Sequence, residues 1–156
     1  MQAQDLLSAF TGAVERRDGR ALAALFTEDG VYHDVFYGSF AGRDRVAELV
    51  DDWFYRDATD FRWDMLDPLG DGRTLYARYV FSYRSTLPGA ETGRVVFEGV
   101  AILRLSDGQI AEYREIANTG PALARLGFAA ERVVKLLRRE DAALRARPEA
   151  ARHVAA

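Results

Sequence analysis

Residues 109–118 read QIAEYREIAN, and the alternation within this stretch decides how the chain folds. Glu112 and Arg114 share one parity, which is the period of two expected of a β-strand with one solvated face. The opposite, inward parity consists of Ala111, Tyr113, Glu115 and Ala117. The pattern therefore predicts a strand that turns the carboxylate of Glu115 towards an apolar interior.

Segments 61–65, 74–86 and 94–104 show the same period of two, separated by turn signals at residues 70–72 and 106–108. Their predicted inward row is Phe61, Trp63, Met65, Leu75, Ala77, Tyr79, Phe81, Tyr83, Val95, Phe97, Gly99, Ala101 and Leu103. Successive strands joined by short turns predict an antiparallel sheet.

Helical spacing dominates the first third of the chain. It predicts a helix over residues 5–14, a short second helix carrying Leu22, Leu25 and Phe26 to a turn at residues 28–30, and a third helix after Gly42. Residues 31–40 form a predicted strand pair. After residue 120 a short helix is followed by a longer one at about 128–147.

Helices segregated on one face of an antiparallel sheet define an α+β domain. A curved sheet closed on one side by helices leaves a conical space lined by the inward row. We expect one domain over residues 1–147, with residues 148–156 fraying.

Composition narrows the chemistry of any site. The chain of 156 residues has no cysteine and two histidines, which excludes thiol chemistry and makes a multi-histidine metal site or a serine–histidine triad improbable. Carboxylates, tyrosines and arginines remain. We expect no cofactor and no metal.

Charge and hydropathy set expectations about partners. From Glu131 onward seven basic residues are interleaved with four acids, while the whole chain carries a net charge of −3. An acidic body repels a phosphate backbone, so nucleic acid is not an expected partner. No segment is long and apolar enough for a membrane helix, and the N-terminus lacks the pattern of a signal peptide, which predicts a cytoplasmic protein.

Three segments together resemble the nuclear-transport-factor-2-like superfamily, in its SnoaL-like branch. They are AALFTEDGVYHD (23–34), GRDRVAELV (42–50) and DGQIAEYREIANTG (107–120), and the resemblance covers roughly residues 5–127. It implies a cone-shaped fold with a deep apolar pocket, usually a homodimer. Members include polyketide cyclases, ketosteroid isomerases, limonene-type epoxide hydrolases and dehydratases, and also proteins that only bind or scaffold.

The isomerases of this superfamily take a proton with an aspartate at the end of the first strand, a place that Asp34 matches. Phe10 and Ala101 stand where those enzymes have the two donors of their oxyanion hole.

The epoxide hydrolases hold a water with a tyrosine and an asparagine, matched by Tyr32 and Asp34, and Glu115 matches one catalytic aspartate. Tyr79 and Phe81 occupy the places of their arginine and second aspartate. The cyclases have an acid–base carboxylate in the last strand, a role compatible with Glu115.

Pattern and resemblance together give a candidate site. Glu115 and Asp34 are the candidate catalytic residues for acid–base chemistry on a small apolar or polycyclic molecule. The candidate substrate-binding residues are Tyr32, Trp53, Trp63, Tyr79, Phe81, Phe97 and Tyr113.

Each candidate has an alternative interpretation. A bulge in the last strand would turn Glu115 to solvent, Asp34 is also typical of a turn, and the aromatic residues are equally typical of a core. Two other functions stay open: a non-catalytic binding protein of the same fold, and an interaction module. The interaction module would use the outer sheet face, and we expect the same face to form a homodimer interface.

Overall fold

Six strands and their flanking helices form the structure, a computed structural model that describes residues 3–155. The helices are α1 (Ala3–Glu15), α2 (Gly19–Ala24), α3 (Arg43–Glu48) continuing as a π-helix (Leu49–Phe54), α4 (Tyr55–Asp57), α5 (Gly120–Arg125), α6 (Ala130–Arg145) and, after a 3-10 turn (Pro148–Ala150), α7 (Ala151–Val154). The strands are β1 (Phe26–Asp34), β2 (Gly38–Ala41), β3 (Ala58–Gly70), β4 (Thr74–Ser85), β5 (Val95–Ser106) and β6 (Gln109–Ala117).

The strands make one curved, unclosed sheet in the order β2-β1-β6-β5-β4-β3. Neighbouring strands are antiparallel except β1 and β6, which run parallel. Leu7, Phe10 and Val14 of α1 are fully buried in the same core as the inward row of the sheet. The predicted α+β class, a curved sheet wrapped around helices, is confirmed.

The start of β6 differs from the predicted alternation. A register shift beside Leu105 of β5 sets that residue opposite Ile110, so Ile110 is fully buried and Ala111 only partly. The irregularity precedes the second half of β6. Glu115 therefore keeps the inward orientation that its parity predicts.

The segment at Phe26 is the clearest departure from the sequence pattern. Phe26 opens β1 instead of ending a helix, and residues 28–30 continue the strand instead of forming a turn. The cause is parallel pairing: Phe26 lies opposite Ile110, whose amide donates to the Leu25 carbonyl at 2.9 Å. The Arg43 guanidinium also donates to the Phe26 carbonyl, at 2.8 and 2.9 Å.

The third helix follows the prediction in place, since it begins directly after Gly42, and its buried residues are Val46, Leu49, Val50 and Phe54. Its second half is π-helical, a rare geometry that is frequent at functional sites. Phe54 takes the inward position, and Trp53 is only partly buried.

The C-terminal segment packs more loosely. Helix α6 lies within the predicted range of 128–147, and none of its residues is fully buried. Residues 148–154, part of the predicted fraying tail, form the 3-10 turn and α7, whereas Ala156 lies outside the described residues. The single-domain boundary at residue 147 stays a prediction. Within residues 3–155 no helix is long and apolar enough to cross a membrane.

Candidate active site

A cavity of about 250 Å³ opens between the inner sheet face and the helices. Ten of its 23 lining residues are aromatic, among them Tyr32, Phe54, Phe61, Trp63, Phe81 and Phe97. Three acidic residues lie in the same wall: Asp34, Glu115, and Asp57, which is paired with Arg56. Both candidate catalytic residues therefore line one space, although they are distant in the sequence.

Glu115 is held by two phenols. The Tyr79 hydroxyl donates to Glu115 Oε2 at 2.5 Å, and the Tyr113 hydroxyl donates to the same oxygen at 3.4 Å. Burial raises the pKa of Glu115 to about 8, the negative charge of Asp34 adds to the rise, and the two hydrogen bonds offset part of it. A carboxyl group with this pKa can both donate and accept a proton near neutral pH.

Small residues on β5 make room for this arrangement. Gly99 pairs with Tyr79 of β4, and Ala101 pairs with Glu115 of β6. A Cβ atom on Gly99 would lie 2.6 Å from the Tyr79 hydroxyl and 2.5 Å from the Ile116 carbonyl oxygen. The phenol can reach Glu115 only because residue 99 has no side chain.

Asp34 lies at the end of β1, where the chain turns towards β2. Its Oδ1 accepts hydrogen bonds from the backbone amides of Phe36 at 2.9 Å and Tyr37 at 2.8 Å. The same residue thus stabilises the turn and lines the cavity, while its catalytic role stays a prediction. Burial raises its pKa to about 6 although the two amides lower it.

The two carboxyl groups differ in protonation at neutral pH. With a pKa of about 6 Asp34 is mostly ionised at pH 7, whereas Glu115, with a pKa of about 8, is mostly protonated. Pairs whose environments separate their pKa values in this way supply one acid and one base. The arrangement is therefore capable of concerted proton donation and removal.

The candidate substrate-binding residues fall into three groups. Tyr32, Trp63, Phe81 and Phe97 line the cavity. Tyr79 and Tyr113 instead contact the Glu115 carboxylate from behind. Trp53 is not brought to the cavity, because Phe54 takes the inward place on the π-helix. The Trp53 indole makes an edge-to-face contact with Phe40, with the ring centroids 5.7 Å apart, and its N–H donates to Glu48 at 3.1 Å.

Two buried donors of the wall have no acceptor within residues 3–155. They are the hydroxyl of Tyr32 and the indole nitrogen of Trp63. Buried polar groups are nearly always paired, and an unpaired one costs about 1 to 3 kcal/mol. A bound ligand or a water molecule in the cavity can accept from either donor.

Sequence reasoning missed several wall residues. Tyr83 belongs to the inward row that alternation predicts but was not among the candidate binding residues, and Tyr37 lies in the turn between β1 and β2, whose direction no alternation predicts. Arg132, Leu136 and Arg139 come from α6. Their spacing of four and three residues puts them on one helix face, and this was the signal that could have found them. Within residues 3–155 no cluster of three or more histidine, aspartate or glutamate side chains could hold a metal ion.

Comparison with solved structures finds this fold repeatedly. A protein with a ketosteroid isomerase-like fold from Catenulispora acidiphila, solved with trimethylamine, aligns with a TM-score of 0.72 at 18% identity, over 83% of this chain and 98% of that chain. An LEH-like epoxide hydrolase from M. tuberculosis gives 0.62 at 19% identity, over 87% and 94%. A phenazine biosynthesis-related protein from Pseudomonas aeruginosa gives 0.61 at 20% identity, over 83% and 88%.

The TM-scores establish a shared fold, and enzymes occur among the proteins that have it. Identities of 18 to 20% do not establish a shared reaction. No curated protein matches the chain. The model of the SnoaL-like domain matches residues 7–113, which is more than half of the sequence and includes Asp34 and the start of β6. The chain therefore belongs to the SnoaL-like domain family, within the nuclear-transport-factor-2-like superfamily that its three sequence segments resemble.

Proposed function

We propose that this protein is a cofactor-independent acid–base enzyme that acts on a small, largely apolar molecule bound in the cavity. The reaction is of the cyclase, isomerase, dehydratase or hydrolase type. The observation that carries the proposal is the pair of carboxyl groups in one aromatic cavity, with burial raising the pKa of Asp34 to about 6 and of Glu115 to about 8.

In this mechanism Asp34 removes a proton from the substrate, or from a water beside it, while Glu115 donates one. The amides of Phe36 and Tyr37 orient the Asp34 carboxylate. Both phenols donate to Oε2 of Glu115, which leaves Oε1 to exchange the proton with the ligand. Burial among aromatic rings strengthens each electrostatic contact, because little water screens it.

Tyr32 supplies the hydrogen-bond donor of the site in this account. Its hydroxyl is buried and unpaired within residues 3–155, and its side chain lines the cavity. A donor placed where negative charge develops on a substrate oxygen is usually the largest single contribution to such catalysis. Phe10 and Ala101, at the places of the isomerase donors, are both fully buried and apolar, so the donor must come from elsewhere.

The alternative is a non-catalytic protein that binds a small molecule in the same cavity. The absence of those isomerase donors at Phe10 and Ala101 favours it, as does the apolar Phe81 at a catalytic position of the epoxide hydrolases. In this case the carboxyl groups only orient the ligand.

The test uses two probe reactions with the purified chain. β-Tetralone in deuterated buffer reports proton removal through deuterium exchange beside its carbonyl, and styrene oxide reports hydrolysis, both followed by NMR. We expect one of them to be accelerated, with a bell-shaped pH profile whose limbs lie near pH 6 and pH 8. Glu115→Gln and Asp34→Asn each remove the acceleration.

The matched control is Glu98→Gln, which makes the same change at an exposed position on the outer face of β5. It should leave the rate unchanged. Binding of both probes without acceleration of either would favour the binding protein over the enzyme.

The partner proposal is a homodimer formed through the outer sheet face. Val96, Val100 and Ile116 expose apolar side chains there, with Ile116 62% exposed and directly opposite Val100. Light scattering should report twice the mass of one chain for the wild type and for Val134→Lys, a control on α6. Ile116→Lys should lower it to one chain, and a monomeric wild type would contradict the proposal.

A further inference from the structure

Two arginines of α6 stand at the cavity. Arg132, Leu136 and Arg139 share one face of the helix, and all three side chains belong to the cavity wall. The two guanidinium groups belong to exposed residues. This helix lies beyond residues 7–113, the part of the chain that matches the family model. The arginines therefore lie outside the stretch that the family model matches.

Each guanidinium is held beside the opening by a residue of the same wall. Arg139 Nη2 donates to the Phe36 carbonyl at 3.2 Å. The Arg132 guanidinium lies over the Phe128 ring, 3.7 Å from its centroid. Stacking and a backbone hydrogen bond reduce the freedom that an arginine loses when it binds a ligand.

Neither arginine has an acidic partner within residues 3–155. No carboxylate lies within 4.0 Å of either group, and no acidic residue stands three or four positions away from either on the helix. By contrast Arg56, also in the wall, pairs with Asp57 at 2.8 Å. Two positive charges thus remain without an ion-pair partner, among residues 3–155, in a wall that also holds Asp34, Asp57 and Glu115.

We propose that Arg132 and Arg139 bind an anionic group of the substrate, of the carboxylate class. The apolar body of such a molecule fills the aromatic cavity, and its uncharged end reaches Asp34 and Glu115. This inference rests on the proposal that the cavity is the ligand site. It adds that the substrate carries a negative charge at one end.

The charge distribution also sets the orientation of the ligand. Ionised Asp34 repels an anion, whereas the planar guanidinium groups offer paired N–H donors that match a carboxylate. An anionic ligand is therefore expected to bind with its charged group at the arginines and its apolar end towards Asp34.

The experiment compares naphthylacetate with its uncharged amide, which has the same apolar body. Calorimetry should show wild-type protein binding the acid about tenfold more tightly than the amide, as is typical of charge-assisted hydrogen bonds. In the double variant Arg132→Gln/Arg139→Gln the two affinities should become nearly equal. Arg138→Gln, an exposed arginine of the same helix outside the cavity wall, should keep the tenfold preference.

A second measurement needs no variant. The wild-type preference for the acid should shrink when sodium chloride is raised from low to molar concentration, because salt screens exposed charges. Equal wild-type affinities for the acid and the amide would overturn the role of the arginines and leave the proposed function standing. If neither probe bound, the cavity as a ligand site would be refuted, and the proposed function with it.

Discussion

Replacing Glu115 by glutamine should make the protein more stable at alkaline pH, and the difference from the wild type should grow as the pH rises. The pKa of Glu115 is about 8 in the folded protein against an ordinary value of 4.5. Since the folded state holds the proton more tightly than the unfolded state, this group destabilises the fold as the pH rises from about 4.5 to about 8. Below that pH range the wild type loses no stability through this group, and above the range the full stability loss is present.

The size of the effect follows from the shift. Between three and four pKa units correspond to about 4 to 5 kcal/mol of unfolding free energy. Glutamine keeps the volume and an acceptor for Tyr79, but its amide introduces two donors into the buried site. The buried donors cost about 1 to 2 kcal/mol at every pH. We therefore expect a net gain of about 2 to 4 kcal/mol at pH 9 and a net loss of about 1 to 2 kcal/mol at pH 4.

Urea unfolding of the wild type and Glu115→Gln at several pH values measures this difference. It should grow by up to about 1.4 kcal/mol per pH unit inside that pH range. Glu98→Gln, the exposed control, should stay within about 0.5 kcal/mol of the wild type throughout. A constant difference between the wild type and Glu115→Gln from pH 4 to pH 9 would refute the assignment of a partly buried, protonated Glu115.

Three further predictions concern the neighbours of Glu115. Tyr32→Phe should raise the unfolding free energy by about 1 kcal/mol and lower catalysis, because it removes a buried hydroxyl without a partner that the proposed mechanism uses; a loss in stability would show that the hydroxyl is paired. Asp34→Asn should move the Glu115 titration, read from its side-chain carbon resonance, to lower pH, because the negative charge that helps to raise its pKa is gone. An unmoved titration would show that the two groups do not interact. Gly99→Ala should destabilise the fold by about 2 kcal/mol or more in thermal or urea unfolding, since its methyl group meets the Tyr79 hydroxyl and the Ile116 carbonyl; unchanged stability would contradict the close approach.

The strands of the sheet were predictable because their two faces meet different surroundings. Helices cover one face, so alternation along 74–86 and 94–104 follows burial directly. The inward place of Glu115 came from the same rule and survived the register shift beside Leu105, which lies before it. The placement of Phe26 was not predictable, because its strand pairs with β6, a segment distant in the sequence.

The two candidate carboxylates could be identified from the sequence, whereas many residues of the cavity wall could not. Asp34 was found through the resemblance, and the structure places it beside the same cavity as Glu115. The contact between Tyr79 and Glu115 depends on the absence of a side chain at Gly99, a detail of three strands that no single segment reveals. Arg132 and Arg139 belong to the cavity wall because of the place where α6 packs, and the amphipathic pattern of the helix alone does not determine that place.

The acid–base pair of Asp34 and Glu115 is tested most directly by titrating the two carboxyl groups themselves. Side-chain carboxyl carbon resonances, assigned through Glu115→Gln and Asp34→Asn, can be followed by NMR from pH 3 to pH 10. We expect midpoints near pH 8 for Glu115 and near pH 6 for Asp34, because burial raises both pKa values. Midpoints near pH 4 for both groups, as in model peptides, would contradict the acid–base pair on which the proposed function rests.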